Sequence, residues 1–450
     1  ICDIINPDKK TAMKHSLYNT LIPLADGNAL LYNALSDRYL AIRSGLSADD
    51  LADPGRIPQG PLRDSLVEIG AIVPDDLDEV AAVRDMIREC DYDGDCFQLH
   101  VNPTVDCNFR CWYCYEDHRK GSRMEPDTVQ AIIQLMERTV ASKKGLRRFA
   151  LSFFGGEPLM GFDNVVVPLI EALERICEGT EVQPSVHFTT NAGLVNDRML
   201  RFFAVHKAGF QITLDGHRPF HDKVRFTPST GQGSYDRILR NIRELAAREC
   251  SVLVRVNYTK ENLASVPDII ADFRDLPQEV KEYISFDLQR VWQDLDRNLD
   301  EEVTTLVNSH LRDLRGLGYT TTTHMVHDMV RNSCYGDKRN YLLVNWDGGV
   351  YCCTARDFDD THRAGTLLAD GSVAWRDNHQ ARRLAAKFSK PVCHTCRIAP
   401  LCGGGCCTQA LEHTEPDVCM YRYTDEQKDR MVTDRFEQLH MERRIPQSPC

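Results

Sequence analysis

The sequence predicts an α/β fold in which residues 97–315 form a parallel sheet curved into a partial (β/α)6 barrel. Six strand-like apolar segments alternate there with amphipathic helical patterns, which is typical of parallel strands joined by crossover helices. The chain has 450 residues, more than one core usually supports, so we expect further domains on both sides of the barrel. The strand-like segments are 97–101, 149–154, 186–190, 210–214, 252–257 and 284–288.

Residues 12–90 are predicted to form a small domain before the barrel. Apolar residues alternate over 17–23, turn-forming residues follow at 26–28, and a second apolar segment covers 29–35. This order predicts a β-hairpin. Apolar residues at helical spacing then continue to residue 87, so helices are expected to follow the hairpin.

Residues 334–423 are predicted to form a third domain. This stretch has few long helical patterns and is rich in glycine and cysteine, so bound metal is expected to stabilise it. Residues 424–450 are predicted to form a final helix and tail. Thr424 and Gln427 have the spacing of a capping box at the start of that helix, which we expect to act as a surface brace.

Three cysteines, Cys107, Cys111 and Cys114, follow the first barrel strand with the spacing CxxxCxxC. A four-iron cubane normally takes four cysteines, so a set of three leaves one iron open to a ligand that is not protein. A second array lies near the C-terminus and consists of Cys393, Cys396, Cys402 and Cys406. Two simpler interpretations remain, a disulfide framework for all the cysteines and a zinc site for the second array alone.

The charge and hydropathy of the chain indicate which partners and which cellular compartment to expect. The formal charge of −12 argues against a nucleic-acid-binding surface. No apolar run is long enough for a membrane span, and the first residues do not resemble a signal peptide. We therefore expect a cytoplasmic protein with neither a nucleic-acid nor a membrane partner, in the reducing, oxygen-poor surroundings that exposed thiolate clusters require.

Polar residues stand where the predicted strands end, and the carboxyl ends of parallel strands are where ligands bind. Gly155, Gly156 and Glu157 follow the second strand, where two glycines would let a ligand approach the backbone. Thr190 and Asn191 end the third strand, and Asp215 ends the fourth. Arg255 lies between Val254 and Val256, so it is expected to point into the barrel, where it needs an anionic partner.

The cysteine triplet, with Tyr113 directly before its third member, resembles the signature of the radical S-adenosylmethionine (SAM) enzymes. In that family the open iron of a 4Fe-4S cluster chelates SAM, and cleavage of SAM gives a 5'-deoxyadenosyl radical. The resemblance implies that the GGEP segment contacts the SAM amino group and that the other strand ends contact its ribose and carboxylate. The implied cofactor-binding residues are Tyr113, Gly155, Gly156, Glu157, Thr190, Asn191, Asp215 and Arg255. For Arg255 the SAM carboxylate and an acidic side chain are equal alternatives.

The C-terminal cysteines resemble a SPASM domain, which implies two auxiliary 4Fe-4S clusters. Auxiliary cluster II would take Cys393, Cys396, Cys402 and Cys419, and auxiliary cluster I would take Cys334, Cys353 and Cys406. The fourth position of cluster I stays open to Cys352, to Cys407 or to a substrate thiolate, because residues 323–328 contain no cysteine. The other cysteines are expected to be ordinary thiols: Cys2, Cys90, Cys96, Cys177, Cys250 and Cys450. His217 and His221 are expected to be solvated loop residues rather than a metal pair.

The family resemblance implies an oxidoreductase that modifies a ribosomally made precursor peptide, forming a crosslink such as a thioether. Its partners would be the precursor peptide with its leader and an electron donor such as flavodoxin or ferredoxin. Residues 12–90 resemble a winged-helix peptide-recognition domain, although a capping domain without a ligand is equally compatible with them. One alternative is an anaerobic sulfatase-maturing enzyme, in which an aspartate base follows the cysteine matched by Cys353. Here Thr354 holds that position and Asp357 is displaced. The other alternative is a non-catalytic iron–sulfur or zinc scaffold.

Overall fold

A computed structural model describes residues 12–24, 27–43, 53–116, 118–294, 301–321 and 328–444. The chain divides into two compact units. The first unit consists of residues 1–93, 324–339 and 380–450, and the second unit consists of residues 94–323 and 340–379. Within the described ranges, no helix is both long and apolar enough to cross a membrane.

The strands are β1 (Met13–His15), β2 (Asn19–Pro23), β3 (Ala29–Asn33), β4 (Arg38–Ile42), β5 (Ile72–Pro74), β6 (Cys96–Val101), β7 (Arg148–Phe153), β8 (Gln183–Thr190), β9 (Gly209–Leu214), β10 (Val252–Tyr258), β11 (Ile284–Arg290), β12 (Thr320–Thr321), β13 (Tyr341–Val344), β14 (Gly349–Tyr351), β15 (Gly365–Leu367) and β16 (Val373–Trp375). The α-helices are α1 (Pro61–Glu68), α2 (Glu79–Asp91), α3 (Pro126–Ser142), α4 (Val167–Cys177), α5 (Asp197–His206), α6 (Arg218–Val224), α7 (Tyr235–Ala246), α8 (Val266–Phe273), α9 (Gln278–Lys281), α10 (Glu301–Gly316), α11 (His379–Ala386), α12 (Pro391–His394), α13 (Ala399–Cys402), α14 (Cys407–Glu412) and α15 (Asp425–Arg444).

The second unit is built on one sheet of eleven strands in the order β12-β11-β10-β9-β8-β7-β6-β13-β14-β15-β16. The strands β6 to β11 are parallel neighbours in chain order, and they coincide with the six predicted strand segments. Helices connect successive strands, so each connection is the expected crossover. The predicted α/β fold is therefore confirmed.

The two faces of this sheet differ in chemistry, because successive side chains of a strand point to opposite faces. One face is apolar and packs in a core that includes Phe149, Phe153 and Phe188, each no more than 1% exposed. Burial of one such side chain contributes about 1.5–3 kcal/mol to folding. In β10, Val254 and Val256 are buried in this core, so Arg255 lies on the opposite face of the sheet. Asn257, two residues further along β10, lies on the same face as Arg255.

The first unit contains two small sheets. One is an antiparallel sheet in the order β2-β3-β4, and the other pairs β1 with β5. The predicted hairpin corresponds to β2 and β3, and β4 adds a strand that the sequence analysis did not anticipate. The turn prediction at 26–28 falls partly outside the described residues, since Asp26 is not among them. The predicted helices correspond to α1 and α2.

One hydrophobic cluster of the first unit joins the N-terminal and C-terminal parts of the chain. Tyr18, Tyr32, Val83 and Ile87 pack there with apolar residues from 388 to 432. The C-terminal members are Phe388, Cys393, Ile398, Ala399, Leu401, Met431 and Val432. The helix α15, expected to be a surface brace, therefore contributes side chains to this core. The domain limits 12–90, 97–315, 334–423 and 424–450 remain predictions, but residues 12–90 do not have a core to themselves.

A cluster of buried charged side chains connects separate segments of the first unit. Lys387 lies 2.8 Å from Asp91 and 3.0 Å from Asp337, and all three side chains are at most 7% exposed. Removing one partner of such a buried group leaves an uncompensated charge and costs about 3–5 kcal/mol. These contacts again tie the end of α2 to residues after 330.

Candidate active site

The loop that carries the three cysteines is anchored by Asp106. Its carboxylate accepts hydrogen bonds from the Cys107 N–H at 2.8 Å, the Gly121 N–H at 2.9 Å and the Arg110 guanidinium at 3.0 Å. Burial opposes ionisation of Asp106, but these donors outweigh it and lower the pKa of the carboxyl group. The sequence analysis missed Asp106. The ionised side chain holds both ends of the loop together.

Gly155 and Gly156 let the end of β7 approach this loop. The backbone of Gly155 has φ +103°, and a Cβ there would lie 2.3 Å from the Thr104 carbonyl oxygen. A Cβ on Gly156 would lie 2.1 Å from the Asp106 carbonyl oxygen. The sequence analysis expected these glycines to make room for a ligand. In the structure the neighbouring backbone occupies that room, and the Glu157 N–H donates to the Asp106 carbonyl at 2.9 Å.

Glu157 connects the ends of β7 and β8. Its wholly buried carboxylate accepts hydrogen bonds from the Thr190 hydroxyl at 2.7 Å, the Asn191 N–H at 2.8 Å and the Leu159 N–H at 3.0 Å. Burial raises the pKa of Glu157, and the three donors oppose that shift. A carboxylate offers about four lone-pair positions, so one position stays available to a further donor such as an ammonium group.

Asn191 brings this cluster to the cysteine loop. Its side-chain amide donates to Asn108 at 2.8 Å and lies 3.7 Å from the sulfur of Cys107. Three predicted residues, Glu157, Thr190 and Asn191, therefore lie together beside the first cysteine. This arrangement follows from the parallel sheet, in which neighbouring strands end at the same edge.

Tyr113 contacts a second polar cluster. Its hydroxyl donates to Asp215 at 2.5 Å and accepts from Arg225 at 2.8 Å and from Asn257 at 3.0 Å. Arg225 also forms an ion pair with Asp215, and the two side chains are 10% and 2% exposed. The sequence analysis predicted Tyr113 and Asp215 but missed Arg225 and Asn257. Periodicity could not identify Arg225, because its partners Asp215 and Tyr113 meet it only in the folded chain.

The prediction that His221 is a solvated loop residue is wrong. His221 lies in α6 and is fully buried. Its Nδ1 accepts the Asp215 N–H at 3.2 Å and its Nε2 lies 3.0 Å from the Ser234 hydroxyl. Burial lowers its pKa to about 4, so the ring is neutral and braces Asp215. His217 is partly buried and lies 3.3 Å from Asp272.

Arg255 has an acidic side chain as its partner. It lies 3.2 Å from Asp287, a carboxylate that is 1% exposed and also accepts from Gln289 at 3.0 Å. Of the two partners left open by the sequence, the structure pairs Arg255 with the side chain. A carboxylate of SAM is not needed to neutralise it.

The three thiols of the cysteine loop are donor groups suited to an iron–sulfur cluster. Burial raises the pKa of Cys107 to about 12 and also raises the pKa values of Cys111 and Cys114. Bare thiols there stay protonated at neutral pH, and binding of iron would displace their protons. Among the described residues, no three His, Cys, Asp or Glu side chains converge closely enough to hold a single metal ion.

The C-terminal array lines a cavity of about 240 Å³ in the first unit. All four cysteines assigned to auxiliary cluster II, Cys393, Cys396, Cys402 and Cys419, are in its wall, whereas Cys406 is not. Burial, with the neighbouring thiols, raises the pKa of Cys393 to about 11 and of Cys402 to about 12. The cavity suits a group larger than one ion, and the absence of a converged ion site among the described residues weighs against zinc.

The ligands predicted for auxiliary cluster I are divided between the units: Cys334 and Cys406 belong to the first and Cys353 to the second. Cys407 is buried, and its sulfur donates to the Gly336 carbonyl at 3.3 Å, as expected of a structural thiol. The sulfur of Cys352 lies 3.9 Å from His379 Nδ1.

Every described cysteine is a free thiol, which weighs against a disulfide framework. Of the cysteines expected to be ordinary thiols, Cys177 and Cys250 are buried and Cys90 and Cys96 are partly buried. Cys2 and Cys450 lie outside the described residues, as do residues 323–327 of the segment found to lack cysteine.

Glu116, two residues after Cys114, is a further polar group that the sequence analysis missed. Both of its carboxylate oxygens are buried and have no hydrogen-bond partner among the described residues. Burial, with the nearby charge of Asp357, raises its pKa to about 8. Its only sequence signal was its place beside the third cysteine.

Comparison with known proteins finds a family profile that matches part of the second unit. A sequence profile of the Radical SAM superfamily matches residues 101–273. The serine-type anaerobic sulfatase-maturating enzyme of Klebsiella aerogenes is 24% identical over 67% of this chain and 76% of that enzyme. Several other curated relatives are matched over only about half of their own length.

Two solved structures share the fold. One is anSMEcpe with bound AdoMet and Cp18Cys peptide, with a TM-score of 0.56 and 16% identity over 77% of this chain and 98% of that one. The other is Streptococcus suis SuiB bound to precursor peptide SuiA, with a TM-score of 0.50 and 13% identity over 90% of this chain and 98% of that one. The resemblance inferred from the cysteine triplet is confirmed: residues 101–273, which include the triplet, match the Radical SAM superfamily.

Proposed function

We propose that the chain is a radical SAM maturase that abstracts a hydrogen atom from a ribosomally made precursor peptide. The observation that carries the proposal is the gathering of two polar clusters around one cysteine loop. Asn191 and Glu157 lie beside Cys107, and Asp215 and Arg225 hold Tyr113. A loop that served only to bind metal would not need buried polar groups directed at it from several strand ends.

Cys107, Cys111 and Cys114 would hold the 4Fe-4S cluster. Bound there, the cluster would supply the electron that splits SAM into methionine and a 5'-deoxyadenosyl radical. The remaining acceptor position on Glu157 suits the amino group of SAM. Arg225 supplies positive charge next to the loop, and His221, neutral at pH 7, fixes Asp215. These residues bind and orient the reactants, and the closely packed Gly155 and Gly156 keep the loop in register with β7.

Two auxiliary 4Fe-4S clusters are part of the proposal. The cavity lined by Cys393, Cys396, Cys402 and Cys419 supports auxiliary cluster II. Auxiliary cluster I would take Cys334, Cys353 and Cys406, and the hydrogen bond from Cys407 to a backbone carbonyl argues against Cys407 as its fourth ligand. Such clusters would accept or relay the electron released when a substrate radical is oxidised.

The precursor peptide would be recruited through its leader by residues 12–90. The antiparallel sheet β2-β3-β4 has two outer strands, and extended peptides commonly bind by adding a strand to such an edge. A thioether crosslink is the favoured product, because a substrate thiolate is the soft ligand best suited to an open auxiliary iron. The bound peptides of anSMEcpe and SuiB support a peptide substrate.

Sulfatase maturation is the second candidate, because the Klebsiella relative has that activity. Thr354 counts against it. This residue follows Cys353, where the maturases have an aspartate base, and it is buried, while Asp357 is exposed. The two functions can be distinguished by the chemical products that they form. A crosslinked precursor peptide has lost two hydrogen atoms, whereas a matured sulfatase peptide carries an aldehyde that reacts with hydrazides.

The test of the proposal is anaerobic reconstitution with iron and sulfide, followed by dithionite and SAM. We expect release of methionine and 5'-deoxyadenosine. Replacing Cys107, Cys111 and Cys114 by alanine should abolish that release while about two-thirds of the iron remains, as expected for two of three clusters. Cys96→Ala, outside all proposed ligand sets, is the matched control. Loss of nearly all iron in the triple variant would contradict three independent clusters.

A further inference from the structure

The cysteine loop has an outer face with exposed aromatic side chains. Trp112 is 61% exposed and Tyr115 is 43% exposed, although Tyr113 between them points inward to Asp215. Trp292 is 62% exposed and stacks on Tyr115 with ring centroids 6.0 Å apart. Gln293, the next residue, donates to the Tyr113 carbonyl at 2.9 Å, which fixes this turn to the loop. Exposed aromatic side chains that stack on one another, as Tyr115 and Trp292 do, are characteristic of interaction surfaces.

Three basic residues belong to the same segment of the chain as Trp112 and Tyr115. Arg110 is 42% exposed, and Arg119 and Lys120 are exposed. Asp106 holds them close together, because one oxygen accepts from Arg110 at 3.0 Å and the other accepts from Gly121, the neighbour of Lys120, at 2.9 Å. We call this surface the outer face and define it by Arg110, Trp112, Tyr115, Arg119, Lys120 and Trp292. The charge of Arg110 is paired with Asp106, so Arg119 and Lys120 supply the positive charge of this surface, in contrast with the net charge of −12 of the chain.

We propose that the outer face is the docking surface for an acidic protein that donates single electrons, of the flavodoxin or ferredoxin class. This inference rests on the proposed function, which requires an electron at the three cysteines. One electron leaves the reduced donor, which becomes its one-electron-oxidised form, and enters the iron–sulfur cluster; no covalent bond forms or breaks. Aromatic anchors with a charged rim have the anatomy of a protein–protein interface, and opposite charge steers association.

The two sides of the loop separate the donor from the substrate. The inner side is directed at the strand ends, where Tyr113 contacts Asp215 and Cys107 lies beside Asn191. SAM and the substrate residue belong there. The outer face has Arg119 only five residues after Cys114, a chain distance of at most about 18 Å. A protein seated on it lies close to the cysteines without obstructing the inner side.

The charge of the outer face can be reversed without touching the loop anchors. The test variant is Arg119→Glu with Lys120→Glu, and Trp292→Ala, which lies outside the cysteine loop, tests the aromatic centre separately. The matched control is Arg240→Glu with Arg274→Glu, two exposed arginines elsewhere in the second unit. Binding of purified, oxidised flavodoxin to each reconstituted protein is measured by calorimetry at low and at high salt. Methionine release driven by dithionite, a small reductant that needs no docking, is measured in parallel.

The wild type and the control should bind flavodoxin with equal affinity that falls as salt rises. The double charge reversal and Trp292→Ala should each weaken binding by about tenfold or more. Dithionite-driven release should be retained in all four proteins. Equal flavodoxin affinity in the wild type and the double variant overturns the inference. Weaker binding of the precursor peptide with unchanged flavodoxin binding also overturns it, and identifies the outer face as a peptide surface. A wild type that releases no methionine with dithionite would instead contradict the proposed function.

Discussion

The Tyr113 hydroxyl is predicted to be a main support of the cysteine loop. It is bonded to Asp215, Arg225 and Asn257 at 2.5, 2.8 and 3.0 Å. Tyr113→Phe removes this oxygen and keeps the ring. Two of the bonds involve charged groups and one a neutral amide, so they would contribute about 4–7 kcal/mol if they were independent. They share one oxygen, and Asp215 keeps Arg225 as a partner, so we expect a net loss of about 2–3 kcal/mol.

Hydrogen-exchange mass spectrometry of the metal-free protein measures this loss in the second unit separately from the first. A loss of 2–3 kcal/mol corresponds to about 30- to 150-fold faster exchange of protected amides near the loop. Tyr115→Phe, on the same loop but 43% exposed, is the matched control and should change exchange little. Equal exchange in the two variants would refute the assignment of a supporting role to the Tyr113 hydroxyl.

Three further predictions concern packing and protonation. Gly156→Ala should reduce cluster loading, measured as bound iron, because its Cβ would lie 2.1 Å from the Asp106 carbonyl; loading equal to wild type would contradict the close approach. Deletion of residues 12–88 should leave the first unit unfolded, seen as the loss of its transition in a thermal melt. The reason is that each lost side chain such as Ile87 contributes about 1.5–3 kcal/mol to the shared core. An unchanged melting curve would show that the core is not shared. The pKa of His221 is about 4 in the folded protein against 6.5 in the unfolded chain, so protonation of this residue should lower the free energy of unfolding by about 3 kcal/mol as pH falls from 6.5 to 4. His221→Gln should remove that part of the pH dependence, measured by urea unfolding. An unchanged pH profile would contradict the burial of His221 as a neutral ring.

The same deletion cannot by itself test leader recruitment by residues 12–90. A truncated enzyme that fails to process its peptide could have lost the shared core rather than a peptide-binding edge. Point changes on the outer strands β2 or β4 are therefore the better probe. They should weaken binding of the leader peptide while methionine release with dithionite continues.

The barrel and the cysteine loop could be predicted because their signals are local. Alternating apolar residues identify β6 to β11, and parallel strands that end at one edge place Glu157, Thr190 and Asn191 together. The cysteine spacing identified the loop itself. Both signals use short stretches of sequence and one general rule of sheet topology.

The supports of the loop could not be predicted because they are pairings between residues of different elements that meet only in the folded chain. Nothing in the sequence around Arg225 indicates that Asp215 neutralises it or that it donates to the Tyr113 hydroxyl. His221 was assigned to a loop because Pro219 stands two residues before it, yet proline fits the first turn of a helix, and here Pro219 is the second residue of α6.

The shared core of the first unit was missed for a related reason. Periodicity shows that α2 has an apolar face, including Val83 and Ile87, but not which segment covers it. The partners lie some 300 residues later in the chain, since Leu401 and Val432 belong to the same cluster. Long-range packing of this kind is visible only in the folded structure.

The central claim is that three cysteines hold a cluster that cleaves SAM. The most direct measurement is the release of methionine and 5'-deoxyadenosine by reconstituted protein given dithionite and SAM without oxygen. We predict release by the wild type and by Cys96→Ala, and none by the variant in which Cys107, Cys111 and Cys114 are alanine. Equal release by that triple variant, or no release by a wild type shown to hold its iron, would contradict the claim.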